Sequence, residues 1–285
     1  MKYKFIQKHK ELFPVEKMCQ ALEVSRSGYY RWLTKAPSKR KKENEILLKT
    51  IKEIHKAHHE KYGSPRITPE LRASGYLVGE NRVARLMKEN QIKVKKRKKW
   101  VQTTDSEHPY PIAPNLLNRD FKASEPNRVW VSDITYIATT QGWVYLCIIL
   151  DLYSRKVVGW NLRSDMTTAL VKGAFEMAWV NRKPSKGLIF HSDRGVQYAS
   201  HEFRGELRDK GCLQSMSRKG NCWDNAPAEA FFARLKEERC DYVFRGYHEA
   251  RMVMFEYIEV YYNRQRRHSS LGYLCPHDFE LRKIA

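Results

Sequence analysis

The chain has 285 residues, 42% hydrophobic and 12% aromatic, with 53 Lys and Arg against 32 Asp and Glu and a formal net charge of +21. That apolar content excludes a disordered polycation, the length accommodates one medium domain with one or two small ones, and the basic excess points to an anionic polymer as partner unless the charge is merely solvated. Scattered cysteines without a C-x-x-C pair argue against a zinc ribbon or a disulfide framework, His55, His58 and His59 lack a cysteine pair to complete a tetrahedral site, and no signal peptide or membrane span is legible, so a reducing cytoplasm is expected.

Residues 1–36 read as a small helical unit. Val15, Met18, Cys19 and Leu22 fall at helical spacing, Glu23-Val24-Ser25 breaks the pattern, and Ser27 is positioned to cap a second helix carrying Tyr29 to Leu33. This is either a helix-turn-helix or a plain helical hairpin. Residues 43–92 form a second helical unit. Ile46, Leu47, Ile51 and Ile54 line a long helix ended by Tyr62-Gly63-Ser64-Pro65, and Thr68-Pro69-Glu70 opens a short helix stopped by Gly75. A last helix, 80–89, turns Val83, Leu86 and Met87 inward and Asn81, Arg82 and Arg85 outward. A short helix, a glycine turn and a basic helix make this the better helix-turn-helix candidate, with Arg82 and Arg85 toward DNA. Residues 93–122, nearly continuous positive charge and then a polar stretch with Pro109, Pro111 and Pro114, read as a linker. Lys95, Lys96 and Lys98 would follow a phosphate backbone there, or simply be solvated.

From 123 to 245 the texture is that of a mixed α/β domain. Residues 129–137, 143–150 and 155–161 are β-rich runs of an antiparallel meander, followed by a helix over 167–180, a buried strand at 188–190, a helix over 200–210, a strand at 213–216 and a long helix over 225–239. Residues 246–285 give a further helix and the basic turn Arg264-Gln265-Arg266-Arg267-His268.

Three acidic residues stand out. Asp133 interrupts a β-branched and aromatic strand, where a charge is costly to bury unless paired or bound to metal. Asp193 directly follows a buried strand, at the kind of strand end where α/β folds bind ligands. Glu229 falls in the first turn of a helix announced by Asp224-Asn225-Ala226-Pro227. Each alone has a structural reading, Glu229 through the helix dipole. Together they match a phosphoryl-transfer centre, because Mg²⁺ takes one or two carboxylates per ion and two ions about 3.5–4 Å apart serve an attacking and a leaving oxygen. Lys236, seven residues beyond Glu229, shares its helix face and would hold a phosphate nearby, or be a solvated lysine.

Trp130-x-x-Asp133-Ile134-Thr135-Tyr136, His191-Ser192-Asp193-x-Gly195-x-x-Tyr198 and Ser215-Met216-Ser217-x-x-Gly220-Asn221-x-x-Asp224-Asn225-Ala226-x-x-Glu229 together resemble insertion-sequence transposases of the OrfB type, which have a retroviral-integrase-like core. Asp193 and Glu229 have 35 residues between them, the spacing that names the aspartate–aspartate–35–glutamate group. Tyr62-Gly63-x-x-Arg66-Ile67 and the tail from Tyr261 to Pro276 also fit, so the resemblance covers nearly the whole chain. It implies a ribonuclease-H-like catalytic core preceded by small all-α units of helix-turn-helix type. It further implies two Mg²⁺ or Mn²⁺ ions held by Asp133, Asp193 and Glu229, with Asn225 and Lys236 toward DNA. The reaction implied is strand cleavage and strand transfer on double-stranded DNA at the element's terminal repeats and at a target, by a homo-oligomer assembled on DNA in a bacterial cytoplasm, at the nucleoid. No zipper-like heptad run is present, so an OrfA partner or fusion is expected to supply one. The rival readings are a nuclease of the same fold and a non-catalytic DNA-binding repressor.

Overall fold

The computed structural model describes residues 1–34, 38–94, 109–218 and 222–282. They form two compact units, Met1–His58 with Gly63–Lys93, and His59–Tyr62 with the chain from Val94 onward. Among the described residues no helix is long and apolar enough to cross a membrane.

The first unit begins with three helices, α1 (Lys2–His9), α2 (Val15–Ala21) and α3 (Arg26–Thr34), where the sequence pattern suggested two. The added helix is highly charged and shows little periodicity, yet its Ile6 is fully buried against Met18, Cys19 and Tyr29. Ser25 rather than Ser27 caps α3, its Oγ accepting from Gly28 N at 3.2 Å. The next helix, α4 (Lys39–Ala57), starts ahead of residue 43 because Ser38 Oγ accepts from Lys41 N at 3.3 Å. It stops before Tyr62, since His59 and Glu60 take positive φ and leave the helical path. Then come α5 (Ser64–Ala73) and α6 (Glu80–Glu89). α5 begins earlier than Thr68-Pro69 suggested: Pro65 presets its first turn, and Pro69 removes only one backbone donor.

The second unit is a five-stranded sheet with helices on both faces. In chain order it holds β1 (Val129–Thr139), β2 (Gly142–Asp151), β3 (Val157–Arg163), α7 (Thr168–Arg182), β4 (Ile189–Ser192), α8 (Val196–Ala199), α9 (His201–Asp209) and β5 (Leu213–Met216). A 3₁₀ turn, Cys222–Asn225, leads into α10 (Ala226–Arg239). There follow α11 (Tyr247–Phe255), a π-helical continuation over Glu256–Tyr262, and α12 (Pro276–Arg282). The strand order is β3-β2-β1-β4-β5, with β1, β2 and β3 antiparallel and β1, β4 and β5 parallel. This is the ribonuclease-H-like arrangement. Alternate residues of β1 serve opposite faces: Val129 and Val131 join Phe231, Phe232 and Leu235 of α10, while Trp130 joins Phe175 of α7 and Phe203 of α9. Burial on both faces is why β2 reads as an unbroken apolar run from Leu146 to Leu150.

One stretch differs from the sequence reading. Residues 114–121 are not free linker: Met216 N donates to Pro114 O at 3.3 Å, Leu116 N to Ser215 Oγ at 2.9 Å, and Leu117 enters the core beside α10. The basic turn is partly interior. Arg266 is 2% exposed and donates to both carboxylate oxygens of Glu238 at 2.9–3.1 Å, while Tyr257 Oη donates to Glu238 Oε2 at 2.9 Å. Asn263 covers the free edge of β3, accepting from Val157 N at 3.0 Å and donating to Val157 O at 2.9 Å. Removing one partner of a buried ion pair strands the other charge, so Arg266→Ala should cost about 3–5 kcal/mol in urea unfolding. Glu238→Leu combined with Arg266→Met should recover most of that loss. A loss below about 1 kcal/mol for Arg266→Ala would show that water reaches Glu238.

Candidate active site

The parallel pairing of β1 with β4 sets Val131 opposite His191. Asp133 and Asp193 each lie two residues beyond that pair, Asp133 within β1 and Asp193 just past the end of β4, and strand alternation gives Asp133 the face of Val131, which packs on α10. Ile134 N donates to Asp133 Oδ1 at 2.8 Å, and Gly195 N to Asp193 Oδ1 at 2.9 Å, so a backbone amide orients each carboxylate. Glu229 comes from the first turn of α10. Burial holds the Asp133 carboxyl well above its ordinary range, and the negative charges of Asp193 and Glu229 push it the same way; the Ile134 amide and Lys236 oppose them. Lys236 Nζ lies 4.5 Å from the centroid of the Tyr136 ring, a residue of β1. Asp133, Asp193, Glu229 and Lys236 therefore occupy one electrostatic neighbourhood, contributed by β1, the end of β4 and α10.

The 3₁₀ turn that sets the start of α10 is fixed by two neighbours in sequence. Asp224 is 1% exposed and accepts from Arg119 Nε and Arg218 Nη2 at 2.8 Å, from Arg218 N and Nε at 2.9 Å, and from Asn115 Nδ2 at 3.1 Å. These donors, the Arg218 guanidinium first, hold its carboxyl well below the usual carboxylate range. Asn225 is 4% exposed and donates from Nδ2 to Ser132 O at 3.1 Å. The reading of Asn225 as a DNA contact therefore needs correction: in this structure the amide is interior and ties α10 to the strand residue next to Asp133. His191, in β4, is fully buried, its ring nitrogens 2.8 Å from Ser215 Oγ and 3.2 Å from Ser217 Oγ. Burial lowers its pKa to about 4, so it stays neutral at pH 7 and joins β4 to β5.

The family model described as "Integrase core domain" matches residues 123–222 and a second of that description 210–276; one described as "HTH-like domain" matches 41–100. The insertion element IS600 uncharacterized 31 kDa protein of Shigella sonnei is 47% identical over 92% of this chain and 97% of its own length. Transposase InsF for insertion sequence IS3A of Escherichia coli (strain K12) is 39% identical over the full length of both chains (100% of each). The chain belongs to the insertion-sequence transposase family. Among solved structures, the simian T-cell lymphotropic virus intasome in complex with PP2A regulatory subunit B56 gamma is similar at 12% identity and a TM-score of 0.46, over 81% of this chain and 74% of that one.

Elsewhere in this transposase, the sequence-derived DNA contacts fare differently. Arg82 is half-buried, donating from Nε and Nη2 to Asn44 Oδ1 at 2.9 and 2.8 Å and pairing with Glu43 at 3.3 Å, so it braces α6 against α4. Arg85 is exposed, 3.8 Å from Glu89. Lys95, Lys96 and Lys98 lie outside the described residues. The bracing roles of Asp224, Arg119 and Arg218 escaped the sequence reading; the one clue was an aspartate beside a helix start, which also fits a simple cap.

Asp224 yields a pH test. Its folded pKa lies below its unfolded value of about 3.9, so its contribution is complete above that pH and is lost as pH falls toward the folded value. Asp224→Asn should destabilise the chain at pH 7, and the gap from wild type in urea unfolding should narrow below about pH 4. A gap that stays constant from pH 7 to 3 would show that the Asp224 charge is not what the arginines hold.

Proposed function

We propose that this transposase cuts and rejoins double-stranded DNA at the ends of its insertion sequence, with Asp133, Asp193 and Glu229 as ligands of two Mg²⁺ or Mn²⁺ ions. The observation that carries the reading is the meeting of three carboxylates contributed by β1, the end of β4 and the first turn of α10. Three like charges from separate elements gather in a chain whose net charge is +21, and that arrangement is costly unless cations join it. The donor set fits: hard carboxylate oxygens suit Mg²⁺, which needs only one or two of them per ion and takes the rest of its shell from water and phosphate. Among the described residues no group of three or more His, Cys, Asp or Glu side chains stands ready to hold a metal ion, so the three carboxylates would have to draw together as cations bind. Divalent cations bound there supply the Lewis-acid charge that phosphoryl transfer requires.

The protein's own groups do the rest. The amides of Ile134 and Gly195 fix the orientation of the two aspartates, and Asn225 fixes α10, and with it Glu229, against β1. Lys236 faces Tyr136 at the same site and offers a positive charge to a phosphate. Water attacking one phosphodiester frees a 3′-hydroxyl, and that hydroxyl attacking a second phosphodiester joins the strands. Neither displacement leaves a bond between protein and DNA, so no nucleophilic side chain is needed. Arg85 of the HTH-like unit and Lys95, Lys96 and Lys98 would contact DNA phosphates, with a second copy and an OrfA chain completing the assembly.

In assays with labelled element ends and Mn²⁺ or Mg²⁺, Asp133→Asn, Asp193→Asn and Glu229→Gln should each lower both cleavage and joining by about 10⁴-fold, as expected when residues act as a unit. Binding to the same ends should hold or tighten, because repulsion of phosphate falls. Near-wild-type turnover in any one variant would remove that residue from the site, and cleavage without joining by the wild type would favour a simple nuclease.

A further inference from the structure

The 3₁₀ turn ahead of α10 displays a bare indole. Trp223 is 70% exposed, although the two residues after it are interior: Asp224 is held by Asn115, Arg119 and Arg218, and Asn225 by the Ser132 carbonyl. The backbone that follows it is therefore anchored. The turn also stands at the candidate site. Ser132 directly precedes Asp133, and the Trp223 Cα is at most about 7.6 Å from that of Asn225, the span of two peptide units. Beside it in the turn's hydrogen-bond network, the guanidiniums of Arg119 and Arg218 bond to Asp224 with side chains 44% and 49% exposed. Two half-exposed guanidiniums bonded to the residue that follows an exposed indole supply the parts that bind unpaired nucleotides, the arginines taking phosphate and the ring taking a base.

We propose that Trp223 is a stacking platform for one base of the DNA end, unpaired from its complement next to the phosphodiester that is cut, with Arg119 and Arg218 on the flanking phosphates. The inference rests on the reading of the carboxylate site as one that cuts DNA. A phosphodiester within a stacked duplex end is hemmed in by its neighbours, and releasing one base lets the backbone turn toward Asp133 and Glu229. Unstacking that base is unfavourable by itself, and the indole face offsets the loss. Because every base has a π-face, the platform tolerates any base and selects for an end that opens easily. Trp223 is thus a positioning residue rather than a catalytic one.

The test compares fully paired element ends with ends carrying one mismatch at each of the three pairs next to the cut. In a Glu229→Gln background, where binding is read without turnover, the chain with Trp223 should bind one mismatched end about 10-fold more tightly than the paired end. Trp223→Ala should lose that preference while its Kd for the paired end stays within about threefold, and Trp223→Phe should keep most of the preference. With Glu229 intact, Trp223→Ala should slow cleavage of paired ends about 10-fold, and the same mismatch should restore the rate. The proposal is overturned if no mismatch is preferred, if the preference survives Trp223→Ala, if the variant loses affinity for paired and mismatched ends alike, or if sedimentation shows that Trp223→Ala dissociates copies of the chain. The binding arm needs no catalysis. A wild type that binds but never cuts would therefore contradict the proposed function, while the mismatch preference would still decide the role of Trp223.

Discussion

Three carboxylates that repel one another have to be held in one place, and much of the second unit serves to hold them. Asp133 cannot retreat, because it belongs to a central strand paired on one side with β2 and, just before it, with β4 on the other. Asp193 is held close to it, because it follows β4, whose parallel pairing with β1 runs to His191, and its carboxylate accepts from Gly195 N. Glu229 rides on a helix whose Phe231, Phe232 and Leu235 are packed into the core under β1. Burial first, and then the charges of Asp193 and Glu229, raise the Asp133 pKa, and the apolar cores on both faces of the sheet offset that cost.

Around that centre, charged and polar residues act as clamps rather than as surface. The two ends of α10 are fixed separately: Asp224 and Asn225 hold the entrance, and Glu238, paired with Arg266, holds the far end. Asp224 gathers Arg119 and Asn115, which precede the sheet, with Arg218, which leaves β5, so a buried carboxylate joins segments remote in sequence. His191 does the same between β4 and β5 in its neutral form. Site geometry held by packing and buried hydrogen bonds lets electrostatic groups act without reorganising during a reaction.

What could be read in the sequence follows from locality. The meander, the helix–strand alternation and α10 were visible because β-branched runs, helical spacing and the Asp-Asn-x-Pro start are short-range signals, and these elements fall close to their expected limits. The acidic residues were legible for a related reason: a carboxylate amid apolar β residues is conspicuous. What stayed hidden depends on partners far along the chain. Nothing near Asn225 reveals that its amide reaches Ser132, and nothing near Arg82 reveals Asn44 and Glu43. Nothing near Arg266 reveals that its partner, Glu238, is on another helix. Pro114 and Leu116 looked like linker because the strand they cover, β5, comes some hundred residues later. Helix ends were missed where a single local bond decides them, as with Ser38 before α4.

The central claim is that the acidic cluster weakens the fold in the absence of cations and is stabilised when they bind. Thermal unfolding of the wild type and of Asp133→Asn, each with and without Mn²⁺, tests it most directly. Removing one of three mutually repelling charges should raise the Tm of the metal-free variant above that of the metal-free wild type. Mn²⁺ should then raise the Tm of the wild type, because a ligand that binds only the folded state stabilises it, and should leave the variant nearly unchanged. A metal-free variant less stable than wild type, together with equal Mn²⁺ shifts in both proteins, would contradict the account.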